Sequence, residues 1–268
     1  MALRSFLAAS ALIGMTIAAP APLPTDIVTK VIEGSNPDTY YIEALAARSI
    51  LNELRGTLGQ QKFIDLMEPN TTAADIYWHK IADEYDESKG DHWQRTGAII
   101  QAFVSPTILN ATSLEGWIMK TGPGFPNGFV EASPQHWLAY SGPEGVNATI
   151  YKNASTVSIE TWGYAPGPSI TTYFPAYPIA KPSYMPALEE YQSQIVVEMV
   201  LRDGLRLATA LTAVRVLPDN NSIELYQGMW LRSNTDAWIF TGLQEHLTHE
   251  FTNWLHISYA AVLANTIA

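Results

Sequence analysis

Chemistry in this chain has to come from histidine, carboxylate, tyrosine and arginine side chains, because its 268 residues include no cysteine. Thiolate metal sites, iron–sulfur clusters, disulfides and a cysteine nucleophile are thereby excluded. Three of the 6 histidines stand beside tryptophan, in Trp78-His79, His92-Trp93 and His136-Trp137. Adjacent residues on a strand face opposite sides, so one member of His136-Trp137 can reach a pocket while the other packs elsewhere. Glu160 lies two residues before Trp162, and Glu198 four before Arg202. A carboxyl in an apolar pocket has its pKa raised and can serve as general acid or base. For Glu198 the expectation is an ordinary sheet ion pair with Arg202. His246, His249, Asn253 and His256 share one stripe of a helix, a pattern that could form a metal edge. That stripe lies away from the helix's apolar one, so the expectation is a solvated face, with no metal and no cofactor.

No G-x-S-x-G elbow, P-loop, G-x-G-x-x-G or H-E-x-x-H occurs, which argues against an α/β-hydrolase nucleophile, a nucleotide cradle or a zincin helix. With 15 Lys+Arg against 26 Asp+Glu the formal charge is −11. This argues against nucleic acid and anionic lipid, both recognised through basic patches. The remaining resource is aromatic: 8 Trp, 8 Phe and 13 Tyr. Such rings mostly fill cores, but an aromatic, weakly charged interior is also what an apolar ligand requires.

The elements that would position these groups follow from periodicity. Residues 20–37 are proline-rich and read as an extended lead. Asp38 to Leu58, Gln60 to Met67 and Ala73 to Tyr85 have helical spacing, with Thr72 as N-cap of the third, and Trp93 to Val104 fits a further short helix. Beyond Leu114, glycine and proline punctuate β-type runs at Trp117–Lys120, Phe129–Tyr140, Val146–Lys152 and Thr156–Tyr164. Prolines 175, 178, 182 and 186 mark a long ordered loop. Gln194–Arg202, the Asp203-Gly204 turn, Leu205–Leu217 and Ser222–Arg232 form a three-strand antiparallel meander. On the last strand Ile223, Leu225, Met229 and Leu231 share one face, and Glu224, Tyr226, Trp230 and Arg232 the other. A helix from Ala237 to about Ala264, capped by Asp236, closes the chain, with Phe240, Leu243, Leu247, Phe251, Trp254 and Val262 as its apolar stripe.

The order is that of a single α+β domain over residues 38–268: N-terminal helices, a curved antiparallel sheet forming a half-barrel around an apolar cavity, and a long C-terminal helix. The helix-grip arrangement of lipid-carrier and polyketide-cyclase (SRPBCC-like) domains fits this order, with the NTF2-like cone second. Residues 1–19 read as a secretory signal peptide, with Arg4, an apolar run from Ser5 to Ile17 and small residues for cleavage near Ala18. Sequons at Asn70, Asn110, Asn147, Asn153 and Asn220 exceed the roughly two expected by chance and point to the same secretory route. No apolar run is long enough to span a membrane.

Arg4–Ala19, the sequons and the aromatic-rich region from Phe129 to Trp230 together resemble secreted fungal biosynthetic cyclases. These are the hetero-Diels–Alderases of tropolone–sesquiterpenoid pathways and, second, the ketosteroid-isomerase-like cyclases of maleidride pathways. The resemblance implies a cofactor-free cyclase of pericyclase, dehydratase or isomerase type acting on an apolar secondary-metabolite intermediate. Such a step needs orientation and a hydrogen-bond donor to a carbonyl. On that reading His136, Tyr140, Arg202 and Tyr226 are the catalytic donors, and Trp137, Trp162, Glu198 and Trp230 line the substrate. The alternatives are a secreted carrier of a hydrophobic molecule and a secreted glycoside hydrolase with two carboxylates. Apart from the small-molecule substrate, a homodimer is compatible with the sequence.

Overall fold

A computed structural model describes residues 27–35, 51, 53–54, 56–104, 109, 114, 132–133, 135–141, 156–163, 168–218 and 221–263. The elements are β1 (Val28–Glu33), α1 (Gln60–Glu84), β2 (Trp93–Phe103), β3 (His136–Ser141), β4 (Thr156–Gly163), β5 (Ser169–Pro178), β6 (Ser193–Val200), β7 (Arg206–Val216), β8 (Ile223–Arg232) and α2 (Ala237–Leu263). The strands form one antiparallel sheet in the order β1-β2-β8-β7-β6-β5-β4-β3. The fold is α+β, a curved open sheet with a C-terminal helix. α2 touches both β2 and β4, which stand far apart in the strand order, so the sheet has to curl around it.

The C-terminal meander and α2 follow the expected pattern. Asp203 and Gly204 close the β6–β7 turn, where Gly204 has φ 91°. On β8 the aliphatic set Ile223, Leu225, Met229 and Leu231 joins the core under α2. Tyr226 and Trp230 lie on the other face, packed with Met185 and Tyr191. α2 buries Leu243, Leu247, Phe251 and Trp254 as expected, and adds Ile239, Leu255 and Tyr259. Asp236 precedes the helix, and its carboxylate accepts the Tyr77 hydroxyl hydrogen at 3.1 Å. Among the described residues no helix is long and apolar enough to cross a membrane.

Several local expectations are overturned. Trp93 to Val104 is a strand rather than a helix, paired with β1 on one side and β8 on the other. Pairing on both edges decides it, and Gly97 lets the strand approach β8 so closely that a Cβ would sit 2.0 Å from the Gln227 carbonyl oxygen. Within the proline-rich lead, 28–33 pairs as the edge strand β1. The proline stretch begins inside β5, which includes Pro175 and Pro178. β5 pairs with β6 at only three positions, 176–178. Gln60–Glu84 is one helix of 25 residues, so Thr72 lies mid-helix and is no cap. Pro69 within it cannot donate to the preceding turn. The Thr71 hydroxyl donates instead to the Glu68 carbonyl at 3.2 Å. The helix persists because Phe63, Ile64, Met67, Thr71, Ala74, Trp78 and Ile81 recur at helical spacing and are all buried. The helix expected over 38–58 lies largely outside the described residues, as do the strands expected at 117–120 and 146–152.

α1 spans two packing environments. Phe63, Ile64 and Met67 meet Leu138, Val157 and Ile159, while Trp78 belongs to the core under α2. Its ring meets Trp162 edge-on at 5.7 Å, and its indole N–H donates to the Thr172 hydroxyl at 3.0 Å. Trp78→Ala removes a fully buried ring and this hydrogen bond. It should cost about 3–5 kcal/mol, read as a lowered midpoint in urea unfolding.

Candidate metal centre

The inner face of β4 carries Ser158, Glu160 and Trp162, because side chains alternate and Val157 and Ile159 pack on the opposite side. His136 on β3 is the cross-strand partner of Glu160. On α2, His246 and Glu250 are four residues apart and share one helix face. The helix reaches them to the sheet because a glycine pair allows it. A Cβ on Gly242 would sit 2.5 Å from Gly163 Cα, and Gly163 has φ 117°, a backbone region that only glycine enters freely. His246 lies one turn beyond this contact.

The four side chains converge in the interior, with exposures of 0% for His136, 4% for Glu160, 3% for His246 and 4% for Glu250. The Nε2 atoms of His136 and His246 are 3.1 Å apart. Glu250 places Oε1 3.7 Å from His136 Nε2 and Oε2 3.4 Å from His246 Nε2. Glu160 Oε2 stands 3.9 Å and 3.8 Å from the same two nitrogens, and accepts the Trp162 indole hydrogen at 3.2 Å. The imidazole–carboxyl separations exceed good hydrogen-bond lengths. An ion about 2.0–2.2 Å from its ligands spaces neighbouring ligand atoms by about 3.3–3.6 Å; the Glu250–His246 edge falls in that range, the other carboxyl–imidazole edges are longer and the imidazole pair is shorter. Ligand atoms of His136, His246 and Glu250 lie within 4.8 Å of one another, a grouping able to hold a metal ion. Two imidazoles and one carboxylate suit Zn²⁺, Mn²⁺ or Fe²⁺, with the Glu160 carboxyl beside them.

Electrostatics points the same way. Burial pushes the Glu160 carboxyl up to about 7, against the opposing pull of His246 and the indole hydrogen bond. Burial also raises Glu250 well above the usual carboxyl range and lowers His246. Each shift disfavours the charged form, so without a cation the cluster tends toward neutrality; a divalent charge among the four groups reverses the preference. A carboxyl raised from 4.5 to about 7 lends stability that is complete below pH 4.5 and is lost as pH rises through 7. Glu250 has the same sign; His246, lowered, has the opposite one. The melting temperature of metal-free protein should therefore fall between about pH 5 and 8. Glu160→Gln should reduce the fall and added Zn²⁺ should abolish it, both read by thermal unfolding across pH.

The expected site residues divide between the two faces of the sheet. His136 and Trp162 meet at the cluster. Trp137, next to His136, points outward, packs on Phe63 and donates its indole hydrogen to Thr161 at 2.6 Å. Trp230 and Tyr226 are buried on the outer face, where the Arg95 guanidinium lies 4.7 Å from the Tyr226 ring centre. Glu198 pairs with Arg206, not Arg202. Arg202 instead binds Glu68 at 2.8 Å and the Thr71 hydroxyl at 2.7 Å, fastening α1 to the β6–β7 turn. The side chain of Tyr140 lies outside the described residues, as do Asn110, Asn147, Asn153 and Asn220; Asn70 is exposed on α1.

The stripe expected to be solvated is the correction that matters most. His246 and Asn253 are buried, and Asn253 donates to the Ala132 carbonyl at 2.7 Å. Glu250, which ends the metal-like run His246-Leu-Thr-His249-Glu250 but lies outside the expected stripe, stands on the same face as His246. The available signal was His246-x-x-x-Glu250 on a helix whose remaining faces are also largely apolar, which marks burial on more than one side.

No protein-family model and no curated protein matches the chain. A solved structure of an uncharacterized protein from Rhizobium leguminosarum aligns at 11% identity and TM-score 0.31, over 63% of this chain and 97% of its own. A likeness this loose carries no functional argument.

Proposed function

We propose that the chain is a metal-dependent enzyme in which His136, His246, Glu250 and Glu160 hold one divalent cation, and that it acts on a small apolar molecule bearing a carbonyl group. The observation that carries this reading is the convergence of two imidazole Nε2 atoms, 3.1 Å apart, beside two buried carboxyls. A bound divalent cation supplies Lewis-acid polarisation of a carbonyl oxygen and lowers the pKa of a coordinated water. The chain's own residues set the rest. Trp162 holds Glu160 Oε2 through its N–H, which fixes one carboxylate oxygen at the edge of the cluster. Trp162, Phe174 and Trp78 belong to the apolar core around it, which keeps water away from the four groups.

In a helix-grip architecture, substrate would enter between the sheet and α2. A carbonyl-activating metal fits hydrolytic, dehydrating or isomerising steps on such substrates and replaces the cofactor-free cyclase expected from sequence. A pure carrier has no use for four buried ionisable groups. A sugar-cleaving pair is disfavoured because Glu160 and Glu250 are both buried against the same imidazoles rather than across an open cleft. The signal-like N-terminus and the exposed sequon at Asn70 support secretion as a glycoprotein.

The test is to strip the purified full-length protein with chelator and titrate Zn²⁺, Mn²⁺, Fe²⁺ and Co²⁺ by calorimetry. One equivalent should bind, with affinity lowered more than about 100-fold in His246→Ala and Glu250→Ala, a larger loss than outer-shell changes cause. The loaded protein should turn over members of a panel of apolar ketones and esters, and chelator should stop it. Wild-type protein that takes up no stoichiometric metal would sink the proposal.

A further inference from the structure

One contact of the cluster points away from it. His246 Nδ1 faces Gln135 Oε1 at 2.5 Å. The amide of Gln135 fits only one way round, because its Nε2 donates to the Gly163 carbonyl at 3.0 Å. A carbonyl oxygen only accepts, so the hydrogen of this contact belongs to His246 Nδ1. The other ring nitrogen then turns an unprotonated lone pair toward His136 and Glu250. Gln135 is itself held at both ends of its backbone. Its N–H donates to Ser133 Oγ at 3.2 Å, and its carbonyl accepts the Thr161 N–H at 2.9 Å. The side chain thus hangs from a segment tied to β4, and its amide bonds to β4 at the point where α2 comes closest.

We infer that Gln135 is a positioning residue for the metal centre: it holds His246 as the Nδ1–H tautomer, so that Nε2 arrives as a ligand and not as a hydrogen-bond donor. The functional consequence rests on the metal reading above; the tautomer does not. In metal-free protein the hydrogen shared across 3.1 Å between the two Nε2 atoms is then donated by His136. For a cation to take Nε2 of both rings, His136 must carry its hydrogen on Nδ1 instead, while His246 is already in the ligating tautomer. With the opposite tautomer the shared hydrogen would sit on His246 Nε2, and His246, rather than His136, would have to give it up and break its bond to Gln135 before an ion could enter.

The experiment uses full-length protein labelled with ¹⁵N-histidine, as wild type, Gln135→Leu and Gln135→Glu, first without metal and then titrated with Co²⁺. In wild type the His246 ¹⁵N shifts should report a protonated Nδ1 and a bare Nε2. Gln135→Leu should lose that tautomer preference, bind Co²⁺ about 10–100-fold more weakly and show an altered visible spectrum. Gln135→Glu keeps an acceptor in place and should retain both tautomer and spectrum. A role in packing alone would lower the melting temperature of the leucine variant without moving the tautomer or spectrum, and that result overturns the inference. So does a wild-type His246 protonated at Nε2, which decides the matter even if Gln135→Leu fails to fold. Wild type with the Nδ1–H tautomer and no Co²⁺ uptake defeats the metal reading while the hydrogen-bond assignment stands.

Discussion

Everything in the interior depends on how closely α2 can lie on β4. The contact that sets the distance contains no side chains, because Gly242 meets Gly163 backbone to backbone. Any Cβ at this crossing would lift the helix away from the strand. His246 and Glu250, one and two turns further along, would then miss His136 and Glu160. The left-handed backbone at Gly163 also turns its carbonyl to Gln135. One backbone contact therefore sets both the separation of the four groups and the orientation of one imidazole.

The cluster works against stability and for specificity. Four ionisable groups removed from water cost far more than their mutual contacts return, unless a cation or shared protons neutralise them. The large apolar core around Trp78, Trp162, Leu243 and Phe251 offsets that penalty. Outside the core, other charges are handled differently. Glu224 on the outer face accepts hydrogen bonds from Tyr191, Gln101 and Arg215 at 2.7–2.8 Å, and these partners hold it below the usual carboxyl range. Glu160 sits beside His246, whose charged form burial disfavours, and burial pushes the Glu160 pKa up. Both are 4% exposed, but Glu160 lies deeper in the interior, where burial dominates its shift, whereas Glu224 lies nearer the surface and three donors outweigh burial.

The meander from Ser193 to Arg232 and the final helix were legible because their signals are local: a two-residue turn, strict alternation and a long apolar period. β1 and β2 were not, since their strand character comes from each other and from β8, more than a hundred residues away in the chain. The break expected between Met67 and Ala73 is overridden by packing of both halves of α1. His136, Glu160 and Trp162 were picked out by their aromatic neighbours, and the polar stripe of α2 was noticed. Its burial was hidden because amphipathicity is read one face at a time, and this helix has two buried faces, one apolar and one chemical. Tyr226, Trp230 and Glu198 were grouped with the site because alternation gives two faces without saying which one meets the helix.

The sheet has a seam. β5 and β6 share only three paired positions, so β3, β4 and β5 form a flap joined to the rest of the sheet by little hydrogen bonding. His136 and Glu160 ride on that flap, whereas His246 and Glu250 ride on a helix that packs both on β2 on the far side and on β4 of the flap itself. An ion gripped by all four would act as a rivet through the seam, closing the barrel-like curl at its weakest join. Assembly of the site and final closure of the sheet would then be a single event, with the empty protein looser along this line than the filled one.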